Sequence, residues 1–247
     1  MTELPRRTAA RSKGLWLAAA LCCALATVAL PVDHSVADFA RTLRMGAPVI
    51  IVELAGGLGQ GVVLGLVFIL LMAFYGEERT GAAGLLSALA AGLTADALRG
   101  LFQRVRPDGG PFSFPSAHTA CAFAAAVVLA RRFPRFRYAF YLGAAAVAAS
   151  HVLLLKHYPS DVLAGAAVGV VAGLAGIAAA ERLSFLDNAR VMAVVKAALM
   201  ASLVISVVLV KHWPGPLASV MTPVLLLVIA RRAAALWGPR LINGGQP

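Results

Sequence analysis

The sequence is poor in charged residues and in cysteine. Only 13% of its 247 residues are charged, and three are cysteines. Water-soluble globular domains carry about 25% charged residues, so this composition argues against one. Cys22, Cys23 and Cys121 all lie in apolar runs without a spaced partner, which argues against a disulfide framework or a cysteine-based zinc site. We find no internal repeat, which argues against a repeat array.

Apolar residues make up 60% of the chain, and the mean hydropathy is +0.83. About 20 apolar residues in a helix cross a hydrocarbon layer of roughly 30 Å, so the chain has room for several crossings. We therefore predict an all-α, polytopic integral membrane helical bundle. Apolar runs predict spans at 15–30, 61–75, 81–98, 119–130, 138–154, 162–180, 191–210 and 217–230.

These spans divide the chain into three parts. Residues 1–13 form a basic N-terminus, residues 14–182 a six-helix transmembrane core, and residues 183–247 a two-helix extension with a basic tail. We expect the first span to be an uncleaved signal anchor, because several more spans follow it. The glycine-broken run at 45–61 carries Glu53 and predicts an interfacial or re-entrant helix, or else the first part of a bent span.

The net charge is +11, but the cations lie in short clusters between apolar runs, such as residues 131–137 and 231–232. No basic-aromatic motif for nucleic acid occurs, so we expect no nucleic-acid partner. By the positive-inside rule, the N-terminus and the basic clusters lie in the cytoplasm. The loop at 98–116 then lies outside, although it holds Arg99, Arg104 and Arg106. Residues that break the topology rule are candidates for function.

The unusual polar residues gather in two breaks, 98–118 and 150–161, which open on the same predicted outer side. They are Arg99, Arg106, Ser116, His118, Ser150, His151, His157 and Asp161. Ionisable groups at the margin of a bilayer are costly and usually functional. Guanidinium groups bind phosphate in a bidentate manner. Ser116 precedes an apolar helix and predicts an N-cap, whose free amides form an anion site.

His157 and Asp161 stand four residues apart. If a helix begins near Pro159, the carboxylate turns back toward the imidazole and leaves the other ring nitrogen free as a nucleophile. His118, on the facing break, would protonate the leaving oxygen. These groups suit phosphoryl transfer through a phosphohistidine, with arginines in the place that a metal ion often takes.

The two breaks hold three motifs that resemble those of the type 2 phosphatidic acid phosphatases (PAP2), the membrane branch of the superfamily shared with vanadium haloperoxidases. That family shows Lys-x6-Arg-Pro, Pro-Ser-Gly-His and Ser-Arg-x5-His-x3-Asp. Here the first motif runs from Arg99 to Arg106 and Pro107, and the second from Pro115 to His118. The third joins Ser150 and His151 to His157 and Asp161, with every spacing kept. The resemblance covers residues 15–180.

The resemblance implies a role for each matching residue. His157 is the nucleophile, Asp161 its orienting partner, and His118 the general acid that later activates water. The phosphate is bound by Arg99, Arg106, Ser116, the amide of Ala117, and His151. Three positions depart from the family pattern, since Arg99 replaces Lys, Ala117 replaces Gly, and His151 replaces Arg. The last departure gives up a permanent positive charge on the phosphate.

Several plainer interpretations remain open. His118, His151, His157 and Asp161 have the residue types of a zinc site, although two nearby arginines would repel a dication. His157 and Asp161 would serve as a helix cap alone. Arg99 and Arg106 would anchor lipid headgroups, and Arg104 is interpreted as such an anchor. His212, beside Trp213, is interpreted as structural.

The expected function is a metal-independent phosphoric monoester or pyrophosphate hydrolase without a cofactor. Its partners would be the bilayer and a lipid phosphate or lipid pyrophosphate. The resemblance suggests phosphatidic acid, phosphatidylglycerol phosphate, undecaprenyl pyrophosphate or lipid A. We expect the active site to face the periplasmic side of an inner membrane. The alternatives are a lipid phosphotransferase with the same site, and a non-catalytic transporter or scaffold. The sequence leaves the oligomeric state open.

Overall fold

The structure is a computed structural model that describes residues 8–44 and 49–209. These residues form nine α-helices and no strand, which confirms the all-α prediction. The helices are α1 Thr8–Ala29, α2 Asp33–Arg44, α3 Val49–Gly57, α4 Gly61–Tyr75, α5 Glu78–Phe102, α6 Ala117–Arg132, α7 Arg137–Leu153, α8 Pro159–Glu181 and α9 Ala189–Leu209. The predicted span at 217–230 lies outside the described residues, as do His212 and the basic tail.

Several helices are long and apolar enough to cross a membrane. Within the described part of the chain they are the continuous stretch Ser12–Leu43, α5 and α8. α3 and α4 together pass the same test but are bent by 56° at the break between them. α3 lies in the run where the sequence predicted an interfacial, re-entrant or bent helix, and α4 lies in the predicted span at 61–75. The protein is therefore a multi-pass membrane protein.

The first long stretch is 32 residues, or about 48 Å of helix, which exceeds the roughly 30 Å of a hydrocarbon core. Its second half, α2, is amphipathic and carries Asp33, Asp38 and Arg41. We infer that α2 extends beyond the apolar layer. It reaches the end of the bundle at which α5 and α7 end and α6 and α8 begin. We call this end of the bundle the site end.

Helix α8 lies at the centre of the bundle and packs against α1, α5 and α6. A row of glycines at 165, 169 and 173 lets α6 approach the backbone of α8 closely. A Cβ atom added at Gly165 would lie 2.5 Å from the carbonyl oxygen of Ser116, and one at Gly169 would lie 2.3 Å from that of Ala120. Small residues at such crossings are typical of helix packing in lipid.

Gly165→Ala is expected to lower the free energy of unfolding by about 1–3 kcal/mol, because the added methyl group meets the backbone of α6. Gly143→Ala on α7 is the matched control, since its Cβ would meet nothing within 4 Å. We expect the control to keep or slightly raise stability, as alanine favours helix. Thermal unfolding in detergent micelles measures both variants. Equal stability of Gly165→Ala and wild type would contradict this packing.

The end of the bundle opposite the site is held by ion pairs. Arg79 binds Asp187 at 2.7 Å, Arg131 binds Glu181 at 2.7 Å, and Arg132 binds Glu77. Two arginines of the 131–137 cluster therefore also tie helix ends together. The placement of this cluster in the cytoplasm stays a prediction.

Candidate active site

The structure brings the predicted site residues together from four helix ends. Arg99 lies in the last turn of α5, which ends at Phe102. The predicted end at residue 98 was wrong by one turn, because the helix stops only where Gln103 adopts a left-handed conformation, with φ 46°. There the amide of Gln103 donates to the carbonyl oxygen of Arg99 at 2.9 Å.

Ser116 caps helix α6, as the sequence predicted. Its backbone is extended, with φ −73° and ψ 111°, and α6 begins at Ala117. Its Oγ accepts hydrogen bonds from the amide and the hydroxyl of Thr119, at 3.4 and 3.0 Å. The first amides of α6, including that of Ala117, have no partner one turn back, so they point out of the helix toward the site. The N-terminus of α6 is thus suited to an anion.

Three imidazoles form a row at the site end. The ring centroids of His118 and His151 are 4.5 Å apart, and those of His151 and His157 are 5.5 Å apart. His118 lies in the first turn of α6, His151 in the last turn of α7, and His157 in the link to α8. Arg99 and Arg106 both lie close enough to His118 and His157 to act on them electrostatically. The row of histidines therefore sits in a positive field.

Three buried side-chain nitrogens of the described residues have no hydrogen-bond partner. They are Nε of Arg106 and both ring nitrogens of His151. His151 is only 7% exposed. Buried polar groups are nearly always paired, so each exception calls for an explanation. An arginine nitrogen can only donate, and a neutral imidazole donates from one of its two nitrogens. An oxyanion, which offers acceptors alone, would satisfy Nε of Arg106 and the N–H of His151.

His157 is almost fully buried, with 2% exposure. Its Nδ1 lies 2.7 Å from the carbonyl oxygen of Ser113 but 3.8 Å from Oδ2 of Asp161. Nδ1 of His157 therefore donates to a backbone carbonyl and not, as predicted, to the Asp161 carboxylate. A carbonyl only accepts, so Nδ1 carries the proton and Nε2 is left with a free lone pair. Burial lowers the pKa of His157, and the Asp161 carboxylate opposes this without reversing it. The ring is neutral at pH 7.

Asp161 acts on His157 through Ser113. Its Oδ2 accepts hydrogen bonds from the amide of Tyr158 at 2.8 Å and from the hydroxyl of Ser113 at 2.5 Å. Its Oδ1 accepts one from Arg104 at 2.8 Å. The carboxylate thus holds Ser113 in place, and Ser113 holds the ring of His157.

The interpretation of Arg104 as a lipid anchor was wrong. Its guanidinium bonds two fully buried carboxylates, Asp33 at 2.7 Å and Asp161 at 2.8 Å, and it lies 4.2 Å from the centre of the Tyr158 ring. Sequence reasoning also missed Asp33, Ser113 and Ser160, all fully buried. The one signal for Ser113 was its place two residues before the Pro-Ser-Ala-His step.

Other residues singled out by the sequence lie apart from this cluster. The hydroxyl of Ser150 donates to the carbonyl of Val147 within its own helix, at 2.7 Å. Glu53 is exposed on α3, and His34 is exposed with its ring edge against Tyr158. Across residues 8–44 and 49–209, no three His, Cys, Asp or Glu side chains are grouped as metal ligands.

Comparison with known proteins finds similarity over the segment that carries this site. The model of the PAP2 superfamily matches residues 81–184. A lipid A 1-phosphatase of Porphyromonas gingivalis is 42% identical over 80 residues, which are 30% of this chain and 18% of that protein. A lipid A 1-phosphatase of Rhizobium johnstonii is 37% identical over 94 residues, which are 32% of this chain and 38% of that protein. The matched segment thus spans less than half of either relative.

Solved structures agree on the fold. The crystal structure of Aquifex aeolicus LpxE matches with a TM-score of 0.52 and 23% identity, over 57% of this chain and 93% of that one. The structure of a PAP2 type phosphatidylglycerolphosphate phosphatase from Bacillus subtilis matches with a TM-score of 0.56 and 23% identity, over 70% and 97%. The three motifs gather at one site, and the segment that contains them, residues 81–184, is the one that resembles the PAP2 superfamily.

Proposed function

We propose that the protein is a membrane lipid phosphatase that works through a phosphohistidine at His157. The observation that carries this proposal is the set of unpartnered buried nitrogens of Arg106 and His151, beside a histidine whose free Nε2 is held in place. A phosphate group would supply the missing acceptors and present its phosphorus to that nitrogen. The likeness to lipid A 1-phosphatases supports the same chemistry.

In the first step, Nε2 of His157 attacks the phosphorus of the lipid phosphate. A P–N bond forms, the P–O bond to the lipid breaks, and protonated His118 gives its proton to the leaving lipid oxygen. In the second step, His118 takes a proton from water, whose oxygen attacks the phosphorus. The P–N bond breaks, and inorganic phosphate leaves.

The remaining site residues hold the phosphate oxygens during both steps. Arg99 and Arg106 supply fixed positive charge, the N-terminus of α6 supplies the hydroxyl of Ser116 and the amide of Ala117, and His151 supplies a third charged donor when protonated. Asp161 orients His157 through Ser113. Donors that are already in place stabilise the charge of the transition state without reorganisation.

A lipid substrate suits the position of the site. Large apolar side chains in and beside the loop at 103–116 are exposed, namely Leu101, Phe102, Val105 and Phe112. Such a rim lets acyl chains stay in the bilayer while the phosphate enters the site. We further propose that the site faces the periplasmic side of an inner membrane, as the positive-inside rule indicates for the basic loops at the opposite end.

Phosphate release from purified protein across a lipid panel tests the proposal. The panel holds lipid A 1-phosphate first, then phosphatidic acid, phosphatidylglycerol phosphate and undecaprenyl pyrophosphate. We expect release from at least one of them with EDTA present. Labelled phosphate that appears on a second lipid instead would identify a phosphotransferase. No release and no transfer with any member would contradict an enzymatic function.

His151→Arg is expected to raise kcat/KM above about pH 7 and to flatten any rise toward acid pH. A histidine gains its charge only as the pH falls toward its pKa, whereas arginine is charged throughout. A pH series of kcat/KM for wild type, His151→Arg and the neutral His151→Gln measures the effect. Superimposable wild-type and arginine profiles would show that His151 does not contribute charge to the phosphate.

A further inference from the structure

Asp33 is fully buried at the start of α2, outside the segment that matches the family. One of its carboxylate oxygens accepts a hydrogen bond from the amide of Ser160 at 3.0 Å. The other accepts one from Arg104 at 2.7 Å and one from the hydroxyl of Ser160. A buried carboxylate is tolerated only when its oxygens are satisfied in this way. Helix α2 is therefore bound to the start of α8 and to the loop after α5.

Arg104 bridges two buried acids. Its NH2 binds Asp33, while its NH1 binds Asp161 at 2.8 Å and the hydroxyl of Ser160 at 2.7 Å. Asp33 and Asp161 come from elements far apart in sequence, and both are fully buried. If the Asp33 carboxylate were lost, half of the charge that holds the guanidinium in this position would go with it.

The backbone of Arg104 is linked to the nucleophile through Ser113. Its carbonyl oxygen accepts a hydrogen bond from the amide of Ser113 at 2.7 Å. The carbonyl of Ser113 in turn accepts the bond from Nδ1 of His157 at 2.7 Å, and its hydroxyl donates to Asp161. Arg104 thus fixes Ser113 from two directions, through its own carbonyl and through Asp161. A shift of Arg104 would turn the ring of His157.

A second contact from α2 reaches the same loop. The guanidinium of Arg41 donates to the carbonyl oxygen of Pro107 at 2.8 Å. α2 therefore holds the loop at residues 104 and 107, on both sides of the phosphate-binding Arg106. Two contacts that flank Arg106 point to a role in shaping the loop.

We propose that Asp33 is a positioning residue for the reaction, acting through Arg104 and Ser113 on the imidazole of His157. This inference rests on the proposed phosphatase function. A displacement of about 1 Å at a reacting group costs about 10²-fold in rate, so the effect is expected in kcat. A residue that only docks α2 would lower stability and leave kcat of the folded protein unchanged.

The test compares Asp33→Asn with Asp187→Asn, which breaks an Asp–Arg pair at the opposite end. We expect Asp33→Asn to lower kcat by about 10- to 100-fold with KM changed less than about twofold. Orthovanadate accepts a fifth ligand from the imidazole, so its inhibition constant should rise in parallel, while that of inorganic phosphate stays constant. Asp187→Asn should match wild type throughout. An unchanged kcat, or a loss seen only in stability, would overturn the proposal.

A double-mutant cycle tests the route through Arg104. In an Arg104→Gln background, Asp33→Asn should have almost no further effect on kcat, because the bridge is already broken. If the losses of kcat in the two single variants multiply in the double variant, Asp33 acts by a route other than Arg104. The Asp→Asn variants keep side-chain shape, and thermal unfolding of every variant confirms that only folded protein is compared.

Hydrogen–deuterium exchange of residues 103–116 separates this proposal from the proposed function, because it needs no turnover. Faster exchange in Asp33→Asn but not in Asp187→Asn supports the role of Asp33 in holding this loop, even if wild type releases no phosphate. In that case the phosphatase proposal fails, and the link from Asp33 to the loop stands. Phosphate release by wild type with equal kcat in Asp33→Asn overturns the positioning role alone.

Discussion

Replacing His157 with alanine is expected to lower kcat for phosphate release by at least about 10⁴-fold, as loss of a catalytic nucleophile does in other enzymes. The ring is buried, and its Nδ1 is bound to the carbonyl of Ser113, so Nε2 is the nitrogen free to attack. No other side chain of the site has a nucleophilic atom fixed in this way. Phosphate release by the purified variant, measured at saturating lipid, gives the ratio.

The control for this variant is His34→Ala, which removes an exposed histidine and should leave kcat within about twofold of wild type. His157→Asn keeps a polar side chain of similar size and should be as inactive as His157→Ala, which separates chemistry from packing. Residual activity of a few per cent in both folded variants would rule out His157 as the nucleophile.

Replacing Arg106 with glutamine is expected to lower kcat/KM by about 10³-fold, because fixed charged donors to a developing oxyanion are each worth about 10²–10³-fold. Its Nε is buried without a protein partner, so the loss falls on the phosphate rather than on an internal bond. The kcat/KM of Arg106→Lys should lie between those of wild type and Arg106→Gln, since lysine keeps the charge but loses the planar pair of donors.

Arg135→Gln is the matched control for Arg106, because it removes an exposed arginine from the basic loop at the opposite end. It should leave kcat/KM unchanged, and steady-state kinetics on the same lipid measures all three variants. If Arg106→Gln stays within about threefold of wild type, phosphate is not bound where we place it.

Hydropathy and motif spacing predicted the helical fold and the residues that gather at the site end. They did not predict how Asp161 meets His157. The four-residue spacing pointed to a direct hydrogen bond. However, Asp161 is the third residue of α8, and its carboxylate caps the amide of Tyr158. That bond draws the carboxylate to 3.8 Å from Nδ1, and the carbonyl of Ser113 takes its place. A backbone acceptor has no signature in a sequence.

The pairing of Asp33 with Arg104 was missed for a different reason. They stand 71 residues apart, and no local period links them. Arg104 was one of several cations near a membrane surface, where arginines commonly bind headgroups. Only the packing of α2 against the loop after α5 shows that this arginine has two buried acids as partners. Pairs of this kind become visible once the helices are placed in three dimensions.

The most direct test of the central claim is to trap the phosphoryl group on the enzyme. Protein mixed briefly with ³²P-labelled lipid phosphate is denatured in alkali, in which phosphohistidine survives, and its peptides are sequenced by mass spectrometry. We predict an acid-labile phosphate on His157 in wild type and none in His157→Ala. Label on another residue, or equal label in His157→Ala, would contradict the mechanism.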